Sequence, residues 1–224
     1  MNSYKTMFKM GKAFQLRNLD KCSDNCNKIR DEVEVFKKYT PLVSALRAPG
    51  MRERHWDLMS EQIGMDLHPD DSFTLQGGLD MGLLEHLEAI TKVSDVAMKE
   101  YSIETTLDKM QAEWKEQTLG ILEYRETGTY VVRVDETVTQ LLDDHIVMTQ
   151  AMGFSPFKKP FEERIVEWEA SLSLASEILD EWVAVQRSWM YLEPIFSSDD
   201  IMQQLPLEGK RFATVDRSWR KVCV

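Results

Sequence analysis

The residues of this chain whose types could do chemistry are four histidines, three cysteines and 38 carboxylates. His55, His68, His86 and His145 stand in neither an HExxH nor an HxH arrangement, the spacings that turn two imidazoles toward one metal ion. Each reads as a structural histidine in preference to a ligand or a base. Cys22 and Cys26 are spaced to share one face of a helix. A zinc site needs two further ligands close by, and none is there, so the pair reads as small buried hydrophobes. With Cys223 the count is odd, which suits a reducing compartment better than a disulfide framework. Phosphate chemistry has no signature either. GxxxxGK followed by Ser or Thr does not occur, and Gly209-Lys210 lacks the upstream glycine and the preceding strand. Ile178-Leu179-Asp180-Glu181 imitates the acidic strand end of a nucleotide hydrolase, but it falls inside a stretch of helical period. No serine sits in a GxSxG elbow. Carboxylates are so frequent that pairs on exposed faces arise by chance, and they read as solvated helix faces, not acid–base dyads. No catalytic residue, cofactor site or metal site is expected. Arg47, Arg52 and Arg54 form the one dense basic group. Helix-face ion pairs are the first reading of them and an interaction patch the second.

The elements that must hold these residues are helical. The most distinctive runs from Phe161 to Leu192, with Pro160 just before it, where a fixed φ suits a first turn, and Pro194 just after it, where a helix is expected to stop. Phe161, Ile165, Trp168, Leu172, Ala175, Leu179, Trp182 and Trp189 recur at steps of three and four, with Gln186 filling the one polar slot. Leu174, Ile178, Val185 and Leu192 make a second row that widens the stripe. Such a helix is roughly 45 Å long, more than twice the usual three or four turns, and reads as a strut between two helical bundles. Its tryptophans read as core and not as a ligand cage.

The rest of the chain supports this class. Its 224 residues are 43% hydrophobic, enough for one large or two small domains with ordinary cores. The formal net charge of -11 argues against non-specific binding to nucleic acid or to an anionic membrane. No run of 18 apolar residues exists to cross a bilayer as a helix. MNSYKTMFKMGKAF has no continuous apolar core, so a helical start is expected there and not a secretory signal.

In order, residues 18 to 39 read as a helix with Leu19, Cys22, Cys26, Ile29, Val33 and Phe36 on one face. A short apolar turn follows, then the Pro49-Gly50 turn and a helix from Met51 to Gln62 with Trp56 and Met59 inward and Gly64 at its end. Met65 to Gly78 is the most loop-like stretch, with Gly77-Gly78 as its second break. Two helical stripes follow, one through Leu83, Leu84, Leu87, Ile90 and Val93 and another through Ile103, Leu107, Met110 and Trp114. Leu119 to Tyr124 and Thr129 to Val134, around Arg125-Glu126-Thr127-Gly128, read as a β-hairpin that must pack on helices to persist. Asp135 then caps a helix to about Met152, with Val138, Leu142, His145 and Met148 or Thr149 inward, ended by Gly153. After the strut come a short helix, Ile201 to Gln204, and a last one through Phe212, Val215, Trp219 and Val222, whose stripe is expected to continue into a longer chain. The fold class is therefore mainly α, an elongated rod of helical bundles with one β-hairpin insertion. Its parts are a helical bundle at about 1-118, the hairpin at about 119-134 and a second bundle with the strut at about 135-224.

ALRAPGMRERHW, LEYRETGTYVVRVDE, LLDDHIVMTQ, SPFKKPFEERIVEWE and above all EILDEWVAVQRSWMYLEPIFSSDDIMQQLPLEGKRFATVDRSWRKV resemble the linker of a dynein heavy chain. The resemblance runs from about Tyr4 to Lys221, and FSSDDI after YLEPI resembles the axonemal dyneins more than the cytoplasmic motor. It implies a mechanical segment of an ATP-driven microtubule motor of cilia and flagella. The linker lies across the AAA+ ring of its own heavy chain and passes the ring's nucleotide-dependent change on as a power stroke. This stretch is then non-catalytic and needs no cofactor. Its partner is the ring, and intermediate and light chains and microtubules are reached only indirectly. The place implied is the cytoskeleton, in the axoneme. A lever must be stiff along its length and yield at one place. Trp56, Pro160, Trp168, Trp182, Trp189, Pro194 and Trp219 are the residues expected to give stiffness. Gly77, Gly78, Gly153 and Pro156 mark candidate hinges. A spectrin-like helical scaffold that binds partner helices is the alternative, against which the hairpin and the break at 153 to 160 both speak.

Overall fold

The computed structural model describes residues 2–223. Two compact units divide the chain, residues 1–102 and residues 103–224. Among the described residues the only sheet is one two-stranded hairpin, and everything else regular is helix.

In the first unit, α1 (Asn2–Gln15) and α2 (Asp20–Lys37) form an antiparallel helix pair. Asn18 turns the chain between them with φ 54°, a conformation that Asn tolerates better than most residues. Gly11 is buried against Cys26, and the Ser23 hydroxyl donates to the Gly11 carbonyl at 3.2 Å. Only that edge of α2 is covered. Ile29 and Phe36 stay exposed, and so does Cys22, which corrects the expectation that both cysteines are buried. The short apolar turn is a helix, α3 (Thr40–Leu46), with Pro41 in its first turn. Then comes α4 (Glu53–Ile63), which stops at Gly64 with φ 72°. Leu42, Ala45, Met59, Ile63, Leu67, Leu83, Ile90 and Val93 make the core of this unit.

Two expectations fail here. Gly77 and Gly78 lie inside a short helix, α5 (Leu75–Asp80), and do not break the chain. Thr74 starts that helix by accepting the Gly77 N–H at 3.1 Å, and Gly78 is buried where a Cβ would come within 3.2 Å of Phe73 and Leu83. Gly78 serves close packing. Leu83 to His86 then form turns, and the two expected stripes belong to one helix, α6 (Leu87–Lys115), of 29 residues. Nothing between Val93 and Ile103 is Gly or Pro, so no residue there interrupts the hydrogen-bond ladder. The division between the units falls within α6.

In the second unit, β1 (Gly120–Glu123) and β2 (Tyr130–Arg133) pair antiparallel, Ile121 opposite Val132. Then come α7 (Glu136–Gly153), a 3-10 turn at Lys159–Phe161, α8 (Glu162–Phe196), α9 (Asp199–Gln204) and α10 (Pro206–Val222). Asp135 precedes α7, but its carboxylate pairs with Arg133 at 3.1 Å and caps nothing. Of the alternatives for the fourth inward position of α7, Thr149 is buried and Met148 exposed.

The expected long helix is present and longer than expected: α8 has 35 residues, about 52 Å, and Pro194 lies inside it instead of after it. It lies wholly in the second unit, where its two halves enter two different clusters. Ile165 and Trp168 pack with Ile103, Leu107, Met110, Met152, Phe157 and Phe161. Trp182, Trp189 and Met190 pack with Tyr124, Val131, Phe212 and Trp219. The buried edge follows the single expected stripe, Ile165, Leu172, Gln186 and Trp189. The second row is not buried, since Leu174, Ile178 and Val185 are exposed.

Glycine substitutions separate packing from flexibility. At Gly50 a Cβ would stand 2.2 Å from the Ala97 carbonyl oxygen, a backbone atom that has nowhere to move. Gly50→Ala is expected to destabilise by about 2–3 kcal/mol or more. At Gly153 a Cβ meets nothing within 4 Å. Gly153→Ala is expected to stabilise by about 0.5–1 kcal/mol. Urea unfolding of the two variants should move the midpoint in opposite directions.

Candidate functional site

Two places gather polar chemistry. In the first unit His55 is buried on α4 and faces Glu100 on α6. The Arg52 backbone N–H donates to His55 Nδ1 at 3.0 Å, so the ring proton sits on Nε2, which donates to Glu100 Oε2 at 3.1 Å. Arg54 Nε donates to the same carboxylate oxygen at 3.0 Å and its terminal nitrogen pairs there too. Burial pushes the His55 pKa down, partly opposed by Glu100, and Arg54 and Arg52 add to the lowering. In the second unit His145 repeats the arrangement. Trp114 Nε1, which can only donate, reaches His145 Nδ1 at 2.9 Å, and Nε2 lies 3.1 Å from Glu113. Both ring nitrogens of each histidine are thus occupied, and neither site holds a nucleophile. Among the described residues no three of His, Cys, Asp or Glu converge as metal ligands.

The larger construction is the joint where the hairpin meets α8 and α10. The N–H and C=O of Val132 point away from β1, toward an open sheet edge. Gln186 on α8 closes that edge with both halves of its amide. Val132 N–H donates to Gln186 Oε1 at 2.7 Å, and Gln186 Nε2 donates to the Val132 carbonyl at 2.8 Å. The single polar residue in the apolar stripe therefore acts as a third strand one residue long. One helical turn on, Tyr124 Oη donates to the Met190 carbonyl at 3.1 Å. That carbonyl is the one Pro194 leaves without its intrahelical N–H. Arg125 at the hairpin turn lies 3.7 Å from the buried Glu193 carboxylate.

Aromatic stacking fills the space beneath. Trp189, 1% exposed, stacks on Trp219 at 5.6 Å between centroids and meets Tyr124 edge-on at 5.1 Å. Trp182 tilts against Trp219 at 5.5 Å. Trp189 Nε1 donates to Asp216 at 3.0 Å, and Asp216 also accepts from Arg220. Arg220 reaches back to the hairpin and donates to the Thr127 carbonyl and the Thr129 hydroxyl, each at 2.9 Å. Hairpin, α8 and α10 are locked to one another by polar bonds around an aromatic stack.

The whole chain, residues 1–224, matches the family model described as Dynein heavy chain, N-terminal region 2. The chain belongs to the dynein heavy chain family. It is 50% identical over 222 residues to Dynein axonemal heavy chain 1 of Mus musculus, covering 99% of this chain and 5% of that protein. Identity to Dynein axonemal heavy chain 3 of Homo sapiens is 36% over 221 residues, with the same coverages of 99% and 5%. Dynein axonemal heavy chain 12 of Rattus norvegicus is 40% identical over 222 residues, which is 96% of this chain and 7% of that protein. The segment therefore spans about a twentieth of the length of these heavy chains.

Within this dynein heavy chain segment the residues singled out from sequence fall in several places. Trp182, Trp189 and Trp219 meet in the joint, with Pro194 one turn beyond. Trp168 belongs to the other cluster of the second unit, and Trp56 is half-buried beside the core of the first. Pro160 sits in the 3-10 turn before α8, Pro156 in the turn before that, and Gly153 is the last residue of α7. Arg47 is exposed at the end of α3. Arg52 donates to the carbonyls of Pro49 and Met51, and Arg54 is taken up by Glu100. Tyr124, Asp216, Arg220 and the pair His55–Glu100 were not singled out from sequence. Glu100 had a signal: it falls on the stripe of Val93, Ala97, Ile103 and Leu107, where a carboxylate needs a buried partner.

Two outcomes follow from this chemistry. Trp189→Ala is expected to cost about 3–5 kcal/mol, and Gln186→Ala about 1–3 kcal/mol through the two backbone groups of Val132 it strands. Urea unfolding should rank the two variants in that order. The His55 site gives a pH dependence. Its folded pKa lies below the ordinary 6.5, so on lowering the pH the unfolded chain takes a proton first. The His55 contribution is complete above pH ~6.5 and is lost progressively below it. Exposed His68, raised by Asp66 and Asp57, acts with the opposite sign. The comparison of wild type with His55→Gln between pH ~7.5 and ~5.5 isolates the effect, and the wild type should lose more.

Proposed function

We propose that this chain is a segment of the mechanical linker of an axonemal dynein heavy chain, acting in the axoneme of a cilium or flagellum. In this reading it lies against the AAA+ ring of its own heavy chain and carries the ring's nucleotide-dependent change outward as the power stroke of a microtubule motor. The ring holds the ATPase chemistry, and this segment is non-catalytic. Intermediate and light chains and microtubules are reached through the rest of the heavy chain. The observation that carries the reading is the match of all 224 residues to the N-terminal region 2 model, with 50% identity to an axonemal heavy chain. The physical arrangement agrees with it. A 35-residue helix joins two clusters, and its tryptophans and the hairpin joint oppose bending. Yielding is assigned to Gly153–Pro156, since Gly77 and Gly78 are held inside α5, and the arginines Arg47, Arg52 and Arg54 to one candidate contact face.

The test uses a purified dynein ring that lacks its own linker. This chain, added in trans, is expected to bind the ring with an affinity that changes between nucleotide-free and ATP-bound states, and to bind no ATP by calorimetry on its own. Absence of any ring contact, or saturable ATP binding by the chain alone, would overturn the reading.

A further inference from the structure

We infer that α8 contains a built-in yielding point at the turn Met190–Pro194, and that the β-hairpin is the brace that keeps the helix straight across it. The inference follows from the hydrogen bonds and ion pair around Pro194 and stands apart from the linker reading, so failure of the ring experiment leaves it intact.

Pro194 lies within α8, with the helix continuing to Phe196. A proline there has no N–H for the carbonyl four residues back, its ring crowds that carbonyl, and it disfavours helical geometry in the residue before it. All three effects fall on Met190 to Glu193. Left alone, they favour a bend or a helix end, which is what the sequence by itself suggests. The hairpin answers them one at a time. Tyr124 Oη donates to the stranded Met190 carbonyl at 3.1 Å. Glu193, the residue before the proline, is buried with its carboxylate 3.7 Å from Arg125 of the hairpin turn, and the Ser197 hydroxyl donates to its carboxylate at 2.9 Å. Arg125 holds φ 53°, an unfavourable value for a residue with a side chain, at the position from which it faces Glu193. Two anchors hold the hairpin itself. Gln186 of α8 grips Val132 of β2, and Arg220 of α10 grips Thr127 and Thr129. The brace is thus fastened on the N-terminal side of the weak turn and reaches across it. Lifting the hairpin releases the Met190 carbonyl and the Glu193 carboxylate together, and α8 then bends at Pro194 while its first half keeps its own packing on Ile103, Leu107 and Met110.

Amide hydrogen exchange on the full chain, resolved by residue, tests this. Tyr124→Phe keeps the ring and removes only the donor. It is expected to accelerate exchange of the amides of residues 191–193 and 195–197 by about five- to ten-fold, the factor of one neutral hydrogen bond, and to leave residues 165–175 as in wild type. Gln186→Ala, which loosens the brace at its anchor, is expected to give the same local pattern. Pro194→Ala restores an N–H for Met190, and on that background Tyr124→Phe should change exchange at 191–197 by less than about two-fold. Unchanged exchange at 191–197 in either single variant would overturn the inference. So would equal acceleration at 165–175, or an undiminished Tyr124→Phe effect with Pro194 replaced.

Discussion

Backbone polar groups withdrawn from water must find partners, and in the second unit that requirement decides which elements touch. Two sets of groups have none within their own element: the outward N–H and C=O of Val132 at the hairpin edge, and the Met190 carbonyl that Pro194 strands. Each is met by a side chain from across the contact, Gln186 on the helix and Tyr124 on the hairpin. Neither element supplies what it lacks. A two-stranded hairpin is marginal by itself, and a helix with a proline in its last turns is expected to end. Together they satisfy each other, and the tryptophan stack beneath them makes the contact dry enough for those bonds to matter.

The same rule governs the charged interior of the first unit. Glu100 lies on the apolar stripe of α6 and is nearly excluded from water, so an unpaired carboxylate there is costly. His55 and Arg54 both answer it, and the Arg52 N–H fixes the imidazole tautomer that lets His55 donate. His145, Trp114 and Glu113 use the same device in the second unit. Each unit therefore fixes a helix pair with a histidine held between a backbone or indole donor and a glutamate. In both, each ring nitrogen is committed to a bond that ties one element to another.

Helical period was legible wherever a stripe was regular. The strut, α7 with Val138, Leu142 and His145 inward, α4 with its Gly64 stop, and the hairpin with its turn residues all follow from local pattern. The misreadings have a common cause. Gly77-Gly78 and Pro194 read as punctuation by local pattern, which is what such residues do in isolated segments. In the folded chain, Thr74 and the Phe73–Leu83 contact hold the glycines in a helix, and Tyr124 and Arg125 carry the helix past the proline. Cys22 and the row Leu174, Ile178 and Val185 fit a buried pattern and are nonetheless exposed. An apolar face only states a preference, and burial needs a second element to cover it.

What the sequence determined by itself is the inventory: mainly helix, one hairpin, one long strut, no recognisable catalytic motif, and blocks of residues specific enough to carry a family resemblance. Those properties depend on residue type and near-neighbour spacing. What only the tertiary structure decided is where the strut ends, why Gln186 interrupts its stripe, and which residues fasten the hairpin to it. Each of those rests on bonds between residues 54 to 93 positions apart, from Gln186–Val132 and Tyr124–Met190 to Arg220–Thr127. No local pattern encodes contacts of that range, because the groups that need partners and the groups that supply them meet only once the helices have packed.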